Sequence, residues 1–414
     1  MFGWEFPPYQ AGGLATATVG LVKGLLRVGV DVTLAVPFPA EENPVPGLKL
    51  LGRSEDEERL TVHRIESPLA PYATARQYQE VYARTRQSSR RPVYGQDLFA
   101  EVERFATIAR EVAAHEPHDL IDAHDWITYA AGLAAREASG RPLVAHIHAT
   151  EFDRTGGEGN REIVRRERSG MLAARRVISN SRRLKRQCIE RYGVPGDRID
   201  VVHWGIDGEA SEHGESSPPA PSSPFDADTP VVLFLGRVTG QKGPDFFIEM
   251  AGRVAVFLPR ARFVVAGSGD LLPRLMERSA ELGIADRVHF TGSVLGAEVE
   301  RVIRMADVCV MPSRSEPFGI VALESLLHGT PCIVPRDSGV AEVVRNAFKV
   351  DCWDVDELTN KVVAILKHRV LREEMSALGR RELAMEQFSL EGPARLTLLA
   401  YQRALEGAGA GARA

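Results

Sequence analysis

The chain has 414 residues, 44% of them apolar, and a formal net charge of −5 from 51 basic and 56 acidic side chains. That length exceeds one typical core and predicts two domains, while the acidic balance argues against general nucleic-acid binding. No apolar run approaches the roughly 18 residues of a membrane span, and Cys188, Cys309, Cys332 and Cys352 are too scattered for a disulfide framework or a zinc site, so a reducing cytoplasm is expected.

Phe2, Trp4 and Phe6 alternate into Pro7-Pro8, so Met1 is expected to start inside a strand that the chain start trims. Gln10-Ala11-Gly12-Gly13-Leu14 follows and opens a helix running to about Val28. Paired glycines at such a turn either let backbone N–H groups approach a phosphate or serve a tight turn needing positive φ. The pair is not the G-x-G-x-x-G fingerprint, which counts against a nicotinamide-dependent dehydrogenase. Strands are predicted at Val30 to Val36, Asp119 to Ala123, Leu143 to His148, Arg176 to Ser179 and Ile199 to His203, alternating with amphipathic segments as in parallel βαβ units. The excursion from about Arg53 to Pro117, rich in Arg, Gln and Glu, reads as helices inserted beside the first sheet.

His124-Asp125-Trp126 and His146-Ile147-His148 both end strands, where a histidine is either structural or faces a ligand across a cleft. They do not read as a metal site, because His146 and His148 share one strand face without a third ligand. Between Arg161 and Arg191 there are eleven Arg or Lys residues against three Glu. Such a run is a solvated helical face or a surface for an anionic membrane.

Gly208 to Pro230, with Ser216-Ser217-Pro218-Pro219, reads as an exposed linker. It separates residues 1–207 from residues 231–388, which are followed by a closing helix over 389–405, with helical spacing in Leu396, Leu399 and Leu405, and a flexible tail over 406–414. Strands of the second half are predicted at Val231 to Leu235, Arg262 to Ala266, Val288 to Thr291, Val308 to Met311 and Cys332 to Val334. The pattern is α/β, two Rossmann-like doubly wound domains.

Gly236-Arg237-Val238-Thr239-Gly240-Gln241-Lys242-Gly243 leaves the first of these strands. Arg237 as a fork donor and Lys242 as a point charge suit a diphosphate, with two solvated loop cations as the plain alternative. Ala266-Gly267-Ser268-Gly269-Asp270 is a second strand-to-helix glycine turn, either lining a ligand pocket or simply tight. Asp354 is placed to cap a helix.

Ser315-Glu316-Pro317-Phe318-Gly319-Ile320-Val321-Ala322-Leu323-Glu324 carries two glutamates eight residues apart. Pro317 suits a first helical turn, so the helix is predicted to begin beside Glu316. Continuous helix would set the two carboxylates about 12 Å apart along the axis and roughly 80° apart around it, wider than the roughly 5 to 9.5 Å of a pair that cleaves a glycosidic bond. The N–H groups of Phe318, Gly319 and Ile320 between them can bind an anion, as in a sugar joined to a nucleotide through a diphosphate. Two ordinary surface glutamates are the alternative.

Gly12-Gly13, His124-Asp125-Trp126, His148, Arg237 with Lys242, and Glu316 with Glu324 occur in the order and spacing of one family. From about Gly3 to Leu405 the chain resembles the retaining nucleotide-sugar glycosyltransferases of the GT-B fold, family 4, near the archaeal and bacterial glycogen synthase-like enzymes. Gly3-Trp4-Glu5-Phe6-Pro7-Pro8, His148-Ala149-Thr150-Glu151-Phe152-Asp153-Arg154 and Lys349-Val350-Asp351-Cys352-Trp353-Asp354-Val355 are similar to that subgroup. Two departures weaken a glucan synthase: Gln10 where those synthases carry Lys, and His203-Trp204-Gly205 where many relatives read His-Asn-Gly.

The resemblance implies two domains facing a central cleft, with Glu316 at the donor sugar, Glu324 on the ribose, and Arg237 and Lys242 on the diphosphate. Gly12-Gly13 would offer a backbone N–H from the opposite domain, His148 and Asp125 would border the reacting sugar and acceptor, and backbone around Phe290 to Gly292, beside Gly267, would meet the base. The implied reaction moves a hexose, glucose first, from an ADP-, UDP- or GDP-sugar to a hydroxyl of an α-glucan or small sugar, with no metal and no cofactor beyond the donor. Alternatives are a lipid acceptor at a membrane met through Arg161 to Arg191, and a catalytically silent sugar-nucleotide-binding protein.

Overall fold

The computed structural model describes residues 1–3, 13–38, 49–51, 60–66, 98–208, 225–226 and 228–411. Trp4, Phe6, Gln10, Gly12 and most of the expected linker lie outside them.

In the N-terminal half, β1 (Val32–Phe38), β2 (Lys49–Leu51) and β3 (Leu60–Glu66) form one set of strands, in the order β1-β3-β2. A second set runs β4 (Ile121–His124), β5 (Leu143–Ile147), β6 (Arg176–Ser179) and β7 (Ile199–Val201) in sequence order. Residues 1–3 join the two sets. Phe2 bridges Ala35 and Ala123 in parallel, its N–H donates to Asp122 O at 2.7 Å, and Gly3 N–H donates to Ala35 O at 3.0 Å. β2 pairs antiparallel with β3, and the other paired strands are parallel.

The C-terminal half holds β8 (Val231–Leu235), β9 (Arg262–Ala266), β10 (Val288–Gly292), β11 (Val308–Val310), β12 (Cys332–Pro335) and β13 (Phe348–Val350) in one parallel sheet, order β10-β9-β8-β11-β12-β13. Its central runs are buried, as parallel strands covered by helices on both faces must be. Strand order reverses between β8 and β11, and an open α/β sheet opens its ligand crevice at the carboxyl ends flanking such a reversal. The loops leaving β8 and β11 carry Arg237, Lys242 and Glu316. In the N-terminal half the reversal falls between residues 1–3 and β4, which ends at His124.

Several expectations change. Part of the Arg53 to Pro117 excursion is strand β3, and its helix Leu98–His115 is core, with Val102, Phe105 and Ala109 fully buried. β13 is a strand whose three residues are too few to signal. The closing helix spans Glu391–Gly411, so the tail expected to be flexible from 406 is helical through 411. Its buried face is Ala394, Thr397, Ala400, Tyr401 and Ala404, while Leu396, Leu399 and Leu405 are exposed at 48%, 47% and 39%. Close approach to the helix Gly13–Arg27 explains the inversion, since a Cβ on Gly24 would stand 2.3 Å from Leu390 O and 3.0 Å from the Ala394 methyl. Small residues must face inward, and leucines are left outside. This helix lies on the N-terminal half, in one apolar cluster with Val22, Leu34, Val144 and Ile178. The two strands of chain linking the halves run side by side, Ile206 N–H donating to Phe388 O at 2.7 Å.

Gly24→Leu should therefore destabilise by about 1–3 kcal/mol through overpacking, whereas Leu396→Ser should shift stability by less than about 0.5 kcal/mol. Urea midpoints at unchanged m-value check both.

Candidate active site

Glu316 is extended, not helical. It bridges Ser338, and its carbonyl accepts the Gly339 N–H at 3.1 Å. The helix Ile320–Leu327 starts only after Gly319, whose φ of 108° breaks the path into it. Pro317 is thus outside the first turn, and the separation of Glu316 and Glu324 cannot be read from helical rise. The Glu316 carboxylate is 3% exposed; Oε2 accepts Lys242 Nζ at 2.7 Å and Ser313 Oγ at 2.9 Å. Arg237 reaches the same corner through Gln241: it donates to Gln241 Oε1 at 2.8 Å, and Gln241 Nε2 donates to Ser315 O at 3.2 Å. Among the described residues no group accepts the N–H of Phe318, Gly319 or Ile320. A helix start with open N–H groups beside Lys242 and Arg237 favours an anion. Gly267 and Gly292 line the neighbouring strand ends, Gly267 N–H donating to Gly292 O at 2.8 Å.

On the N-terminal side Asp125 holds φ at 60°, alone among described non-glycine residues, the kind of strain that collects at functional sites. Its Oδ1 accepts the His148 N–H at 2.8 Å and Arg154 lies 3.6 Å from Oδ2. Burial pushes the Asp125 carboxyl up, against Arg154. Asp125 is thus enclosed and shapes the turn at His148, whose carbonyl accepts Asn180 Nδ2 at 2.9 Å. The His148 ring lies 5.4 Å from Trp204, which lies 5.3 Å from Phe318, so three rings span from one half to the other. Gly13 opens its helix.

Asp122, His124 and His146 bring ligand-capable atoms within 4.8 Å of one another, so Asp122 is the third group that strand-face logic did not supply. Two features weigh against a metal there. An ion lies in the plane of each imidazole that binds it, whereas His124 and His146 stack at 4.7 Å with 28° between planes, and Tyr401 already donates to Asp122 Oδ2 at 2.5 Å.

A clasp joins the halves beside this site. Ser315 Oγ donates to Asp153 Oδ1 at 2.6 Å, Arg183 donates to Asp153 at 2.9 Å and to Ser315 Oγ at 2.9 Å, and Ser181 Oγ donates to Pro317 O at 2.7 Å. Glu342 accepts the N–H groups of Arg182 and Arg183 at 2.9 and 2.8 Å and contacts His203 Nε2 at 3.0 Å. A cavity of about 660 Å³ opens along this clasp, with Arg161, Arg191 and Gln187 in its wall. Part of the basic run is paired within this half: Arg165 and Arg166 hold Glu162, Arg176 holds Asp200, Arg168 and Lys185 hold backbone carbonyls, while Arg161, Arg175, Arg182, Arg186 and Arg191 are exposed. Ser313, Gln241, Trp204 and the clasp were not expected as site residues; no local spacing joins Ser315 to a partner as distant as Asp153.

Glu324 is half-buried in the helix Ile320–Leu327, and burial pushes its carboxyl up to about 7. A carboxyl raised on folding favours the folded state below its unfolded pKa and loses that contribution as pH climbs through about 7. Glu324→Gln should therefore gain more in melting temperature over wild type at pH 8 than at pH 5, measured by calorimetry.

Two family models match: "Glycosyltransferase Family 4" over residues 11–210 and "Glycosyl transferases group 1" over residues 220–382. An uncharacterized glycosyltransferase of Methanocaldococcus jannaschii is 29% identical over 98% of both chains. A D-inositol 3-phosphate glycosyltransferase of Geodermatophilus obscurus is 32% identical, covering 73% of this chain and 70% of its own. The catalytic domain of starch synthase IV from Arabidopsis thaliana, bound to ADP and acarbose, superposes with a TM-score of 0.68 at 17% identity over 98% of both chains.

Proposed function

We propose that this chain, which belongs to glycosyltransferase family 4 and has the GT-B fold, moves a hexose from a nucleotide-diphosphate sugar to a hydroxyl of a carbohydrate acceptor with retention of anomeric configuration. The observation that carries the reading is the buried Glu316 held by Lys242 and Ser313 at the strand-order reversal, next to a helix start with open N–H groups. Departure of a nucleoside diphosphate builds negative charge on the leaving oxygen. Lys242, Arg237 and the N–H groups of Phe318, Gly319 and Ile320 are donors already in place for that charge.

Oε2 of Glu316 is occupied by two donors, which supports an orienting and electrostatic role at the donor sugar over a covalent nucleophile. Retention then follows a same-face substitution in which the leaving phosphate takes the acceptor hydroxyl's proton. Glu324, half-buried without a cation among the described residues, suits a ribose diol. His148 borders the sugar and Asp125 fixes it; Gly13, at the start of its helix, offers a backbone N–H to the diphosphate from the other half, and the base lies along Gly267 and Gly292.

A polyol or sugar acceptor, an α-glucan or a small sugar, accords with the names of the inositol phosphate and starch relatives. A membrane lipid met through the exposed members of the run from Arg161 to Arg191 is the alternative acceptor. Among the described residues no helix is long and apolar enough to cross a membrane.

Incubation with a panel of ADP-, UDP- and GDP-hexoses and of sugar acceptors, read by product release, tests the reading. Glu316→Ala should cut kcat by about 10²–10³-fold, and Glu324→Ala should chiefly weaken donor binding, by about tenfold or more. The matching nucleotide at 100 times its Kd should add about 2.7 kcal/mol of stability. Wild-type turnover by Glu316→Ala would sink the assignment.

A further inference from the structure

The loop that carries Glu316 is held from both halves. Glu316 bridges Ser338 and sends its carboxylate to Lys242 and Ser313, all in the C-terminal half. Ser315, one residue earlier, sends its hydroxyl the opposite way, donating to Asp153 Oδ1 at 2.6 Å and accepting Arg183 Nη2 at 2.9 Å, both in the N-terminal half. Neighbouring residues of an extended segment face opposite sides, so a contact that fixes one also fixes the direction of the other. On the far side of Glu316, the Pro317 carbonyl accepts the Ser181 hydroxyl at 2.7 Å. Glu316 therefore sits between two points anchored on the opposite half.

Asp153 is built to hold its end in one orientation. It is 1% exposed; Oδ2 accepts the N–H and the hydroxyl of Thr150, each at 2.8 Å, in the capping box of the helix Glu151–Thr155, while Oδ1 takes Ser315 and, at 2.9 Å, Arg183. A carboxylate with donors on both oxygens cannot turn without leaving buried groups unpaired. Ser315 also reaches the diphosphate corner by its backbone, since its carbonyl accepts Gln241 Nε2 at 3.2 Å and Gln241 Oε1 accepts Arg237 at 2.8 Å. A contact needed only to join the halves could fall anywhere on their interface, and Glu342 already joins them through the Arg182 and Arg183 N–H groups. The contacts of Asp153 and Ser181 fall instead on the two residues that flank Glu316.

We propose that Asp153 and Ser315 are positioning residues for the transfer step: the N-terminal half aims the Glu316 carboxylate through the Ser315 hydroxyl. The inference rests on the transferase reading above, in which Glu316 orients the donor sugar. A donor sugar then meets a correctly aimed Glu316 only while the halves are joined at this point. The diphosphate, by contrast, is received chiefly by Lys242, Arg237 and the N–H groups of Phe318, Gly319 and Ile320, all within the C-terminal half. Loss of the Asp153 bond should therefore show in turnover and not in nucleotide affinity.

The test compares Ser315→Ala, Ser315→Thr, Asp153→Ala and the double variant Ser315→Ala with Asp153→Ala. Ser315→Ala removes the hydroxyl and leaves the backbone carbonyl on Gln241, so kcat should fall about 10–100-fold while the Kd for the nucleoside diphosphate the enzyme binds, ADP, UDP or GDP, stays within about twofold. Ser315→Thr keeps the hydroxyl, and the cavity of about 660 Å³ that Ser315 borders leaves room for the added methyl, so most of the loss should be recovered. The double variant should lose no more than Asp153→Ala alone, because both changes act through one bond. Wild-type kcat in Ser315→Ala, equal losses in the Ala and Thr variants, or additive losses in the double variant would overturn the positioning role and leave the transferase reading intact; wild-type kcat in Glu316→Ala would overturn both. Hydrogen exchange gives a readout independent of turnover. The Gly339 N–H, which donates to Glu316 O at 3.1 Å, should lose protection by about tenfold in Ser315→Ala while the amides of β8 keep theirs, and unchanged protection would overturn the proposal. Should Asp153→Ala not fold, the Ser315 variants and the exchange measurement decide.

Discussion

The ion pair between Lys242 and Glu316 is the constraint around which the C-terminal half of the site is arranged. Glu316 is almost wholly withdrawn from water and Lys242 only partly exposed, so desolvation consumes much of their attraction, and such a pair is weak evidence for stability. What it does supply is position. Lys242 ends the turn after β8 and Glu316 follows β11, so the pair ties together the two loops that flank the strand-order reversal. Ser313 on the same oxygen and Gln241 under Ser315 fix the remaining freedom. An arriving diphosphate would find a cation whose charge is already oriented and whose present partner is a single carboxylate oxygen.

Position across the cleft is set by a different chemistry. There the two halves meet through Asp153, Ser315, Arg183 and Glu342, each of which satisfies more than one donor or acceptor. Glu342 covers the first N–H groups of the helix Arg182–Tyr192, so a carboxylate of one half caps a helix of the other. These contacts are polar and largely buried, and Arg183 on Asp153 is a charge-assisted pair. The rings of His148, Trp204 and Phe318 add an apolar contact at the same crossing. The closing helix, by contrast, is packed into the N-terminal core with small residues at the contact, and behaves as part of that half.

How much of this was legible follows from where each signal resides. The central strands β8 and β9 were readable to the residue because parallel strands buried on both faces are continuous apolar runs. β3 was hidden because its Leu60-Thr61-Val62-His63-Arg64-Ile65-Glu66 mixes polar and apolar residues inside a polar stretch. The start of the helix at Ile320 was misplaced because Pro317 carries a strong helix-start signal, while the bridge of Glu316 to Ser338 is tertiary. The leucines of the closing helix misled for a related reason: periodicity reports an apolar face but not which face can approach Gly24. Arg237, Lys242 and Glu316 stood out because loops at strand ends concentrate unusual residues, and the structure brings them into one corner. Asp153, Ser315 and Glu342 left no local pattern, since their meaning depends on a partner in the other half.

The same distinction separates Asp125 from the residues around it. A carboxylate at a strand end reads as a reactive acid, but in the fold both of its oxygens face donors, His148 N–H and Arg154, and its backbone is held in an unfavourable φ. Arg154 in turn lies among Glu151, Glu167 and Asp125, and those carboxylates drive its guanidinium pKa up against the opposing effect of burial. Removing Arg154 would strand several buried carboxylates at once, which is far more costly than losing one surface pair. Strain at Asp125 is therefore supported by a network that places the His148 backbone and also holds Ala149 O, Asn160 N–H and the Tyr192 hydroxyl. Charged groups in this half satisfy one another, whereas Lys242 in the other half rests on a single carboxylate oxygen.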